Sequence, residues 1–489
     1  MRFWRRIVST SADTGDATTE ARQIASNALK LIDAKRVETK NAEKEFEEAH
    51  PYDYNRIAGD IRDKYHVISF KKTLYRYQDG VYIEDDGFLD SCIVTELLER
   101  GIESKGRVTT AAQQVKHYLV YGKVEIEYPF NIYPDAIPVR NGILKIDLVT
   151  GLTTLIPFSP QYRFNYRLIV AYDAAANGRP IKEYLDSLGT DTGILLQIPA
   201  HALLGMLGRV YKKAYFLKGS KNSGKSTYVD LITRYLFGID VSSSVSLQSL
   251  LFDRFRLAEL DGKIVNAYAD LSDQKIHDIG LFKTLTGGDL FTVERKHRDP
   301  YQMRNKALFL FSGNRYPKIN AADEAFWDRW VALEFPQSFT VDPTFEDRTF
   351  TDENISGFLN LILTKMQEVI RSGNITVTDS VERQWLNDAS SCHRFINDVL
   401  DKCPGAVLVK ADCYKMYADY CADGDFEVEA QRALTDAIVR TGALSRQLTV
   451  KGKASHCYQG YRAKHLEPVY PDKETTIQRD LKTEGRSKK

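Results

Sequence analysis

The chain has 489 residues, of which 43% are hydrophobic, so it is long enough for roughly three domains of about 150 residues each. Its formal net charge of +1 excludes a global basic signature, and any nucleic-acid binding has to come from local patches. No apolar run approaches the ~18 residues that a membrane helix needs, and the basic start lacks the apolar segment of a secretory signal. We therefore expect an intracellular protein with no membrane partner.

The cysteines give no sign of a metal site. They fall at positions 92, 392, 403, 413, 421 and 457 and form no C-x-x-C pair. Structural zinc sites commonly use such closely spaced pairs, so we expect reduced thiols, as in intracellular proteins.

The first part of the chain divides into two predicted segments. Residues 1–60 are polar and charged, which is typical of a solvated helix or a flexible arm. From 61 to 185, aromatic and β-branched residues alternate with turn signals, of which Asn141-Gly142 is a strong hairpin signal. This pattern predicts an α+β domain.

A phosphate-binding loop is predicted at Gly219 to Ser226, where the sequence fits G-x-x-x-x-G-K-[ST]. An apolar run, Ala214 to Leu217, precedes the loop as a strand would, and Thr227 to Ile232 follows it as a helix would. Glycines let successive backbone N–H groups face one anion, and the helix N-terminus adds its dipole. The residues expected to bind ATP are Gly219, Ser220, Lys221, Asn222, Ser223, Gly224, Lys225, Ser226 and Thr227.

Two side chains of this loop and one downstream acid are expected to contact the ATP phosphates and the Mg²⁺ ion. Lys225 is predicted to contact the β and γ phosphates, and the Ser226 hydroxyl to ligate Mg²⁺. The strand-like run Ile264 to Asp270 ends in an acid, so Asp270 is the candidate second Mg²⁺ ligand. Asp273 is the alternative, and either aspartate is otherwise explained as a helix cap.

Two further candidate catalytic residues lie beside apolar runs that are predicted to be strands. Asn314 ends the run that begins at Ala307, where an amide can sense the γ-phosphate and orient water, although asparagine also favours turns. Arg329 precedes the run Val331 to Phe335 and is a candidate arginine finger for a neighbouring subunit, with a surface salt bridge as the alternative. The predicted catalytic residues are Lys225, Asp270, Asn314 and Arg329.

The motifs resemble those of the superfamily 3 helicases, in particular phage and plasmid replication proteins and poxvirus-type primase-helicases. Besides the phosphate loop, three runs carry this resemblance: Leu285-Thr286-Gly287-Gly288-Asp289, Asn314-Arg315-Tyr316-Pro317 and Trp327-Asp328-Arg329. The stretch from Asn141 to Pro160 resembles the domain that precedes the helicase core in that group. The resemblance implies an α/β fold with an AAA+-type P-loop ATPase core over 186–375. It also implies a homo-oligomeric ring, usually a hexamer, that translocates on single-stranded DNA and meets forked duplex DNA.

The chain departs from the family in two ways. Many members carry two adjacent acids where Leu271 follows Asp270, so the choice between Asp270 and Asp273 as the water-activating group stays open. The residues ahead of the first predicted domain are also too few for a primase. We therefore expect the helicase portion alone, with a separate primase or polymerase as a partner, in the host cytoplasm or nucleoid.

A basic hairpin is the predicted DNA contact. Phe291 to Pro300 reads as a hairpin with a basic tip, and in the superfamily this segment projects into the ring channel and grips phosphates. The resemblance implies contacts by Lys296 and His297, with Arg295 and Arg298 as weaker candidates. Phosphate contacts are independent of sequence, as a translocating motor requires. The alternative is a solvated sheet edge.

The remainder is predicted as a linker over 376–392, a winged-helix-like domain over 393–468 and a charged tail over 469–489. Two helices and a strand pair with Lys451-Gly452-Lys453 at its turn favour the winged helix. Tyr414 and Tyr417 also fit the buried face of a plain helical cap.

Taken together, the sequence predicts an ATP-dependent replicative DNA helicase of a virus, phage or plasmid. Two alternatives stay open: a nucleotide-dependent origin-binding or genome-packaging ATPase, and an RNA-directed superfamily 3 ATPase.

Overall fold

The computed structural model describes residues 53–102, 105–272, 274, 276, 278–296, 299–319, 323–378 and 381–472, together with residues 26, 30 and 35. The chain divides into two units, the first ending at Phe130 and the second beginning at Asn131. This boundary lies inside the segment 61–185 that the sequence analysis treats as one domain. Most of the predicted arm and tail lie outside the described residues.

The first unit consists of helices packed on a four-stranded sheet. The helices are α1 (Tyr54–Tyr65), α2 (Phe88–Glu99) and α3 (Lys105–Tyr121), and the strands are β1 (Ile68–Phe70), β2 (Thr73–Gln78), β3 (Val81–Glu84) and β4 (Val124–Glu125). The sheet order is β3-β2-β1-β4, with only the β1–β4 pair parallel. The helices bury residues three or four apart, such as Ile57 and Ile61 of α1, and these close one core.

The second unit opens with an antiparallel sheet of three strands, β5 (Ala136–Val139), β6 (Gly142–Ile146) and β7 (Thr153–Ile156). Two helices follow, α4 (Arg179–Ser187) and α5 (Thr192–Met206). Ile137, Val139 and Leu144 are fully buried in the same core as α4 and α5. This shared core explains why the sheet belongs to the second unit and not to the first.

A five-stranded parallel sheet forms the centre of the second unit. Its strands are β8 (Ala214–Gly219), β9 (Ser242–Ser243), β10 (Val265–Tyr268), β13 (Leu308–Gly313) and β14 (Trp330–Phe335), in the order β14-β8-β13-β10-β9. All four pairings are parallel. Ala214 to Leu217 are fully buried because helices cover both faces, and strands covered on both faces read as continuous apolar runs.

The helices around this sheet include α6 (Lys225–Asp230), which continues as a π-helical turn over Leu231–Phe237, and then α7 (Leu247–Phe252), α8 (Ile279–Gly287), α9 (Glu324–Trp327), α10 (Phe345–Thr349) and α11 (Asp352–Ser372). Alternate residues of β8 face opposite cores: Tyr215 and Leu217 pack with α5 and α11, whereas Phe216 packs with α8 and α9. Between α8 and β13, strands β11 (Leu290–Val293) and β12 (Tyr301–Arg304) form an antiparallel hairpin.

The segment predicted as a linker contains a helix, α12 (Val381–Ala389). Its Trp385 is fully buried in the core under the central sheet. The elements after it, which we call the C-terminal subdomain, are α13 (Ser391–Val399), β15 (Leu400–Val409), α14 (Lys410–Asp423), α15 (Gln431–Arg440), β16 (Leu444–Val450) and β17 (Lys453–Ala463). The three strands form an antiparallel sheet in the order β15-β17-β16, with Lys451 and Gly452 at the β16–β17 turn.

Among the helices of the described part, none combines the length and the apolar character that a membrane crossing requires.

Candidate nucleotide site

The phosphate loop joins the end of β8 to the start of α6 in close-packed surroundings. A Cβ on Gly219 would lie 2.7 Å from the Phe335 carbonyl oxygen. Gly224 has a φ of +89°, and a Cβ there would lie 2.6 Å from Leu188 Cδ2. Both positions therefore require glycine, the first for close approach and the second for a left-handed backbone as well.

The Lys225 ammonium lies in the centre of this loop. It donates to the carbonyl oxygens of Gly219 at 2.6 Å and Ser220 at 2.8 Å, and to Ser223 Oγ at 3.1 Å. Burial lowers the pKa of Lys225, and the negative charge of Asp270 opposes that shift. The lysine is thus held by oxygens of its own loop, and its charge interacts with the candidate acid.

Asp270 lies just beyond the carboxyl end of β10, with an exposed side chain and a left-handed backbone at φ 61°. Aspartate tolerates that conformation better than most residues. Ser226 is exposed at the start of α6, one residue after Lys225. Because the carboxyl ends of parallel strands share one edge of a sheet, Ser226 and Asp270 lie at the same edge. Asp273 lies outside the described residues.

Asn314 lies at that same edge, beside the phosphate loop. Gly313, the last residue of β13, pairs with Lys218, the residue before Gly219. The two strand ends border a cleft of about 370 Å³, lined by Lys218, Gly219, Ser220, Lys221, Asn314, Arg315, Glu334, Phe335 and Pro336. Sequence reasoning missed Lys218, Arg315 and Glu334. Their adjacency to the ends of apolar strands is the signal that points to them.

Arg329 lies at the opposite edge of the sheet. It precedes Trp330, which pairs with Ala214 at the start of β8, whereas Phe335 pairs with Gly219 at its end. At about 3.3 Å per residue, the two ends of this pairing are roughly 17 Å apart. The structure therefore does not bring Arg329 to the phosphate loop of its own chain.

Among the described residues, only part of the Arg329 guanidinium is hydrogen-bonded. One of its terminal nitrogens donates to the Ala325 carbonyl oxygen, and its Nε is buried without a hydrogen-bond partner among the described residues. Burial lowers the pKa of the neighbouring Lys213, and the positive charge of Arg329 adds to that shift while Asp328 opposes it. No salt bridge joins Arg329 to a carboxylate in the part of the chain that the structure describes.

The predicted DNA hairpin forms, but only part of its tip is described. Lys296 is exposed beyond the end of β11, and His297 and Arg298 lie outside the described residues. Arg295 forms a 3.1 Å salt bridge with Asp261 and lies against the Tyr301 ring at 5.5 Å. Of the two described candidates, Arg295 is thus ion-paired, and Lys296 is exposed.

Comparison with known proteins gives distant similarities. Residues 217–329 match a family described as a family of unknown function, DUF5906. The chain is 23% identical over 256 residues to a protein of Sputnik virophage named putative helicase V13. That match covers 47% of this chain and 32% of the virophage protein, so the chain spans about a third of that relative.

Among solved structures, the similar ones include the C-terminal region of NrS-1. One apo form has a TM-score of 0.43 at 12% identity, covering 84% of this chain and 99% of that one. Another has a TM-score of 0.40 at 11% identity, covering 81% of this chain and 96% of that one.

Proposed function

We propose that this chain is the ATPase subunit of a ring-shaped DNA helicase that replicates the genome of a virus, phage or plasmid. The observation that carries the proposal is the division of functional groups between two edges of one sheet. The phosphate loop, Asp270 and Asn314 share one edge, and Arg329 lies at the other. The similarity to a virophage protein named putative helicase agrees with this proposal.

ATP is the proposed substrate, held by the loop from Gly219 to Thr227. The residues fit such a ligand, because the loop joins a strand to the N-terminus of α6 and holds the Lys225 ammonium, a group that pairs with phosphate. Lys225 has an ammonium already within the loop, ready to exchange carbonyl oxygens for phosphate oxygens. Ser226 and Asp270 would hold Mg²⁺, which neutralises phosphate charge when it is bound.

Asn314 and Arg329 have complementary proposed roles. Asn314 borders the cleft beside the phosphate loop, where its amide would orient the attacking water. Arg329 would enter the corresponding cleft of a neighbouring copy and stabilise charge on the transferred phosphoryl group. Because roughly 17 Å of strand separates Arg329 from its own loop, this role requires a second copy. We propose a homo-oligomeric ring of six subunits.

Single-stranded DNA is the proposed track, contacted by Lys296 at the hairpin tip. The C-terminal subdomain runs helix, strand, helix, helix, strand, strand, which is the element order of a winged helix, and we propose that it also meets duplex DNA at the fork. The arginines and lysines exposed on α15 and the β16–β17 turn suit phosphate contacts. A separate primase or polymerase would complete the replication machinery.

The test is ATP hydrolysis with and without single-stranded DNA, beside strand displacement from a forked duplex, using the wild type and Lys225→Ala. DNA-stimulated turnover and displacement that both require Lys225 are expected. Turnover stimulated only by RNA would move the chain to the RNA-directed alternative. Nucleotide binding and ring assembly without displacement would leave an origin-binding or packaging ATPase and would end the helicase proposal.

A further inference from the structure

Asp388, from a distant part of the sequence, contacts Lys218, which lines the cleft described above (here called the nucleotide cleft), and Tyr316, which follows the lining residue Arg315. Its Oδ1 lies 3.2 Å from Lys218 Nζ, and its Oδ2 accepts a hydrogen bond from the Tyr316 backbone N–H at 3.0 Å. Lys218 directly precedes the phosphate loop, and Tyr316 follows Asn314 by two residues. One carboxylate on α12 therefore links the phosphate loop strand to the turn that carries Asn314.

A buried tryptophan fixes the helix that carries this carboxylate. Trp385 precedes Asp388 by three residues, so both side chains lie on one face of α12. The Trp385 indole N–H donates to the Pro317 carbonyl oxygen at 2.7 Å. Its ring stacks on Tyr316 with centroids 4.6 Å apart and planes 19° apart. The helix is thus attached to the Asn314 turn by both its polar and its aromatic side chains.

The Lys218–Asp388 pair is largely shielded from solvent. The side chains are only 22% and 16% exposed, so their attraction is screened less than that of a surface pair. Lys218 Nζ also lies 3.5 Å from Glu334 Oε1 and 5.2 Å from the centre of the Tyr316 ring. Since Lys218 lines the cleft, an entering phosphate would compete with these carboxylates for its ammonium.

The same helix is joined to the C-terminal subdomain. Asn387, next to Asp388, accepts from Arg394 Nε through its backbone oxygen at 3.1 Å and from the Asn397 amide through its side chain. Arg394 and Asn397 belong to α13, whose Phe395 and Ile396 are buried in the core of that subdomain. Two hydrogen bonds therefore join α12 to α13, which packs in the core of the C-terminal subdomain.

We propose that Asp388 is a positioning residue of the nucleotide cleft, which holds Lys218 and the Asn314–Tyr316 turn and transmits nucleotide binding through α12 to the C-terminal subdomain. This inference rests on the proposed ATPase function. It adds that the C-terminal subdomain changes its position or stability when the cleft is filled.

The test is hydrogen exchange, followed by mass spectrometry, on the full chain with and without Mg²⁺ and a non-hydrolysable ATP analogue. In the wild type, the analogue should protect 219–227 and change exchange over 381–399. Asp388→Asn keeps an oxygen for the Tyr316 N–H but removes the charge that holds Lys218. In this variant we expect protection of 219–227 to persist and the change over 381–399 to fall at least about threefold.

Turnover supplies a second readout. Asp388→Asn should lower kcat about tenfold while KM stays within about twofold, because a positioning contact acts on geometry more than on ground-state binding. Asp388→Glu should recover part of kcat. The control is Glu382→Gln, which removes an exposed carboxylate from the same helix and should behave as the wild type.

The outcomes separate this inference from the proposed function. Protection of 219–227 in the wild type with no change over 381–399 would overturn the inference and leave the ATPase proposal intact. An Asp388→Asn variant with wild-type exchange and kcat would also overturn it. Absence of protection at 219–227 in every variant would remove the proposed function and this inference with it. Even where a variant fails to fold, an unchanged exchange over 381–399 in the wild type is enough to overturn the inference.

Discussion

Arg329 and Gly219 mark opposite ends of one strand pair: Arg329 immediately precedes Trp330, which pairs with Ala214, and Gly219 pairs with Phe335. A single copy therefore carries the phosphate loop on one edge of its sheet and, near the other, the Nε of Arg329, which has no hydrogen-bond partner among the described residues. If the chain forms a ring, each copy presents a loop to one neighbour and an arginine to the next. A substitution in the loop would then inactivate the site of the substituted copy itself. A substitution of Arg329 would inactivate the site of a neighbouring copy.

Mixing two inactive variants should restore part of the activity. Arg329→Ala keeps a working phosphate loop, and Lys225→Ala keeps a working arginine, so a mixed ring contains interfaces with both groups intact. We expect each variant alone to lose about 10²- to 10³-fold in kcat, as when a transition-state charge partner is removed. A 1:1 mixture, with random assembly, should recover about a quarter of wild-type turnover per site. The measurement is steady-state ATP hydrolysis after co-assembly.

The double variant is the control for this mixing experiment. Copies that carry both Lys225→Ala and Arg329→Ala, mixed with either single variant, offer no interface with both groups intact and should stay inactive. Recovery in that mixture, or full activity of Arg329→Ala by itself, would contradict the role of Arg329 at a neighbouring site.

Gly224→Ala should weaken nucleotide binding without unfolding the chain. The added Cβ meets Leu188 Cδ2 at 2.6 Å, and the backbone has a φ of +89°, which costs about 1–2 kcal/mol for an ordinary residue. We expect the strained backbone and the contact with Leu188 to shift the loop around Lys225, so affinity for a fluorescent ATP analogue should fall at least about tenfold, or 1.4 kcal/mol.

Gly208→Ala is a matched control for that variant. Gly208 also has a positive φ, +80°, but a Cβ there has no atom within 4 Å. The two variants should lose similar stability through backbone strain, and only Gly224→Ala should lose nucleotide. Equal affinities in the two variants would show that the loop tolerates a Cβ at 224.

Lys296→Ala should weaken binding of single-stranded DNA in a salt-dependent way. Lys296 is exposed at the hairpin tip, whereas Arg295 is held by Asp261. Removing one phosphate contact should reduce the slope of log K against log salt by about 0.7 on a single strand. The measurement is fluorescence anisotropy of a labelled oligonucleotide over a salt series. Lys182→Ala, which removes a lysine paired with Asp186 on α4, is the control. An unchanged slope for Lys296→Ala would exclude this contact.

The sequence predicts the local part of the candidate site well, and the reason is geometric. The phosphate loop lies between a strand and a helix that are contiguous in sequence, and a Cβ at Gly219 or Gly224 would come within 3 Å of another residue. Asp270 and Asn314 follow apolar runs, and parallel strands bring such ends to one edge. Their positions in the structure agree with that reasoning, while their catalytic roles stay predictions.

The long-range part of the site was not predictable in the same way. Asp388 reaches Tyr316 across 72 positions of sequence, and no local pattern encodes such a pairing. Among the side chains of the nine-residue helix α12 that the structure describes, Val381 and Trp385 are the buried ones, which is too weak an apolar pattern to distinguish it from a linker. The boundary at Phe130 was hidden because aromatic and β-branched residues continue on both sides of it.

Trp385→Phe should destabilise the chain more than Trp330→Phe does. Both tryptophans are almost fully buried in the same core. The Trp385 N–H donates to the Pro317 carbonyl oxygen at 2.7 Å, whereas the Trp330 N–H has no partner among the described residues. Only the first substitution leaves a buried carbonyl unpaired, which costs about 1–3 kcal/mol. Apparent thermal midpoints of the two variants measure the difference, and a lower midpoint for Trp330→Phe would contradict this account.

His201 should make stability fall as the pH drops below neutrality. It is buried on α5 with Nδ1 3.2 Å from the Tyr215 hydroxyl, and burial, with a smaller effect of the Lys213 charge, lowers its pKa to about 3. The unfolded chain takes up this proton near pH 6.5, the ordinary value for histidine. The contribution of neutral His201 is therefore complete above about pH 6.5 and is lost between there and about pH 3, at up to 1.4 kcal/mol per pH unit.

His201→Asn tests this, because asparagine keeps a polar group near Tyr215 and does not titrate. Burial also lowers the pKa of His393, so of the described histidines two should lower stability in the wild type and one in the variant. Apparent thermal midpoints between pH 7 and pH 4.5 should therefore fall less steeply in His201→Asn. This range lies above the usual carboxyl pKa values, so the aspartates whose pKa is lowered, such as Asp147 and Asp342, contribute little to the slope. Parallel curves for the two proteins would show that His201 is protonated in the folded chain as readily as in the unfolded one.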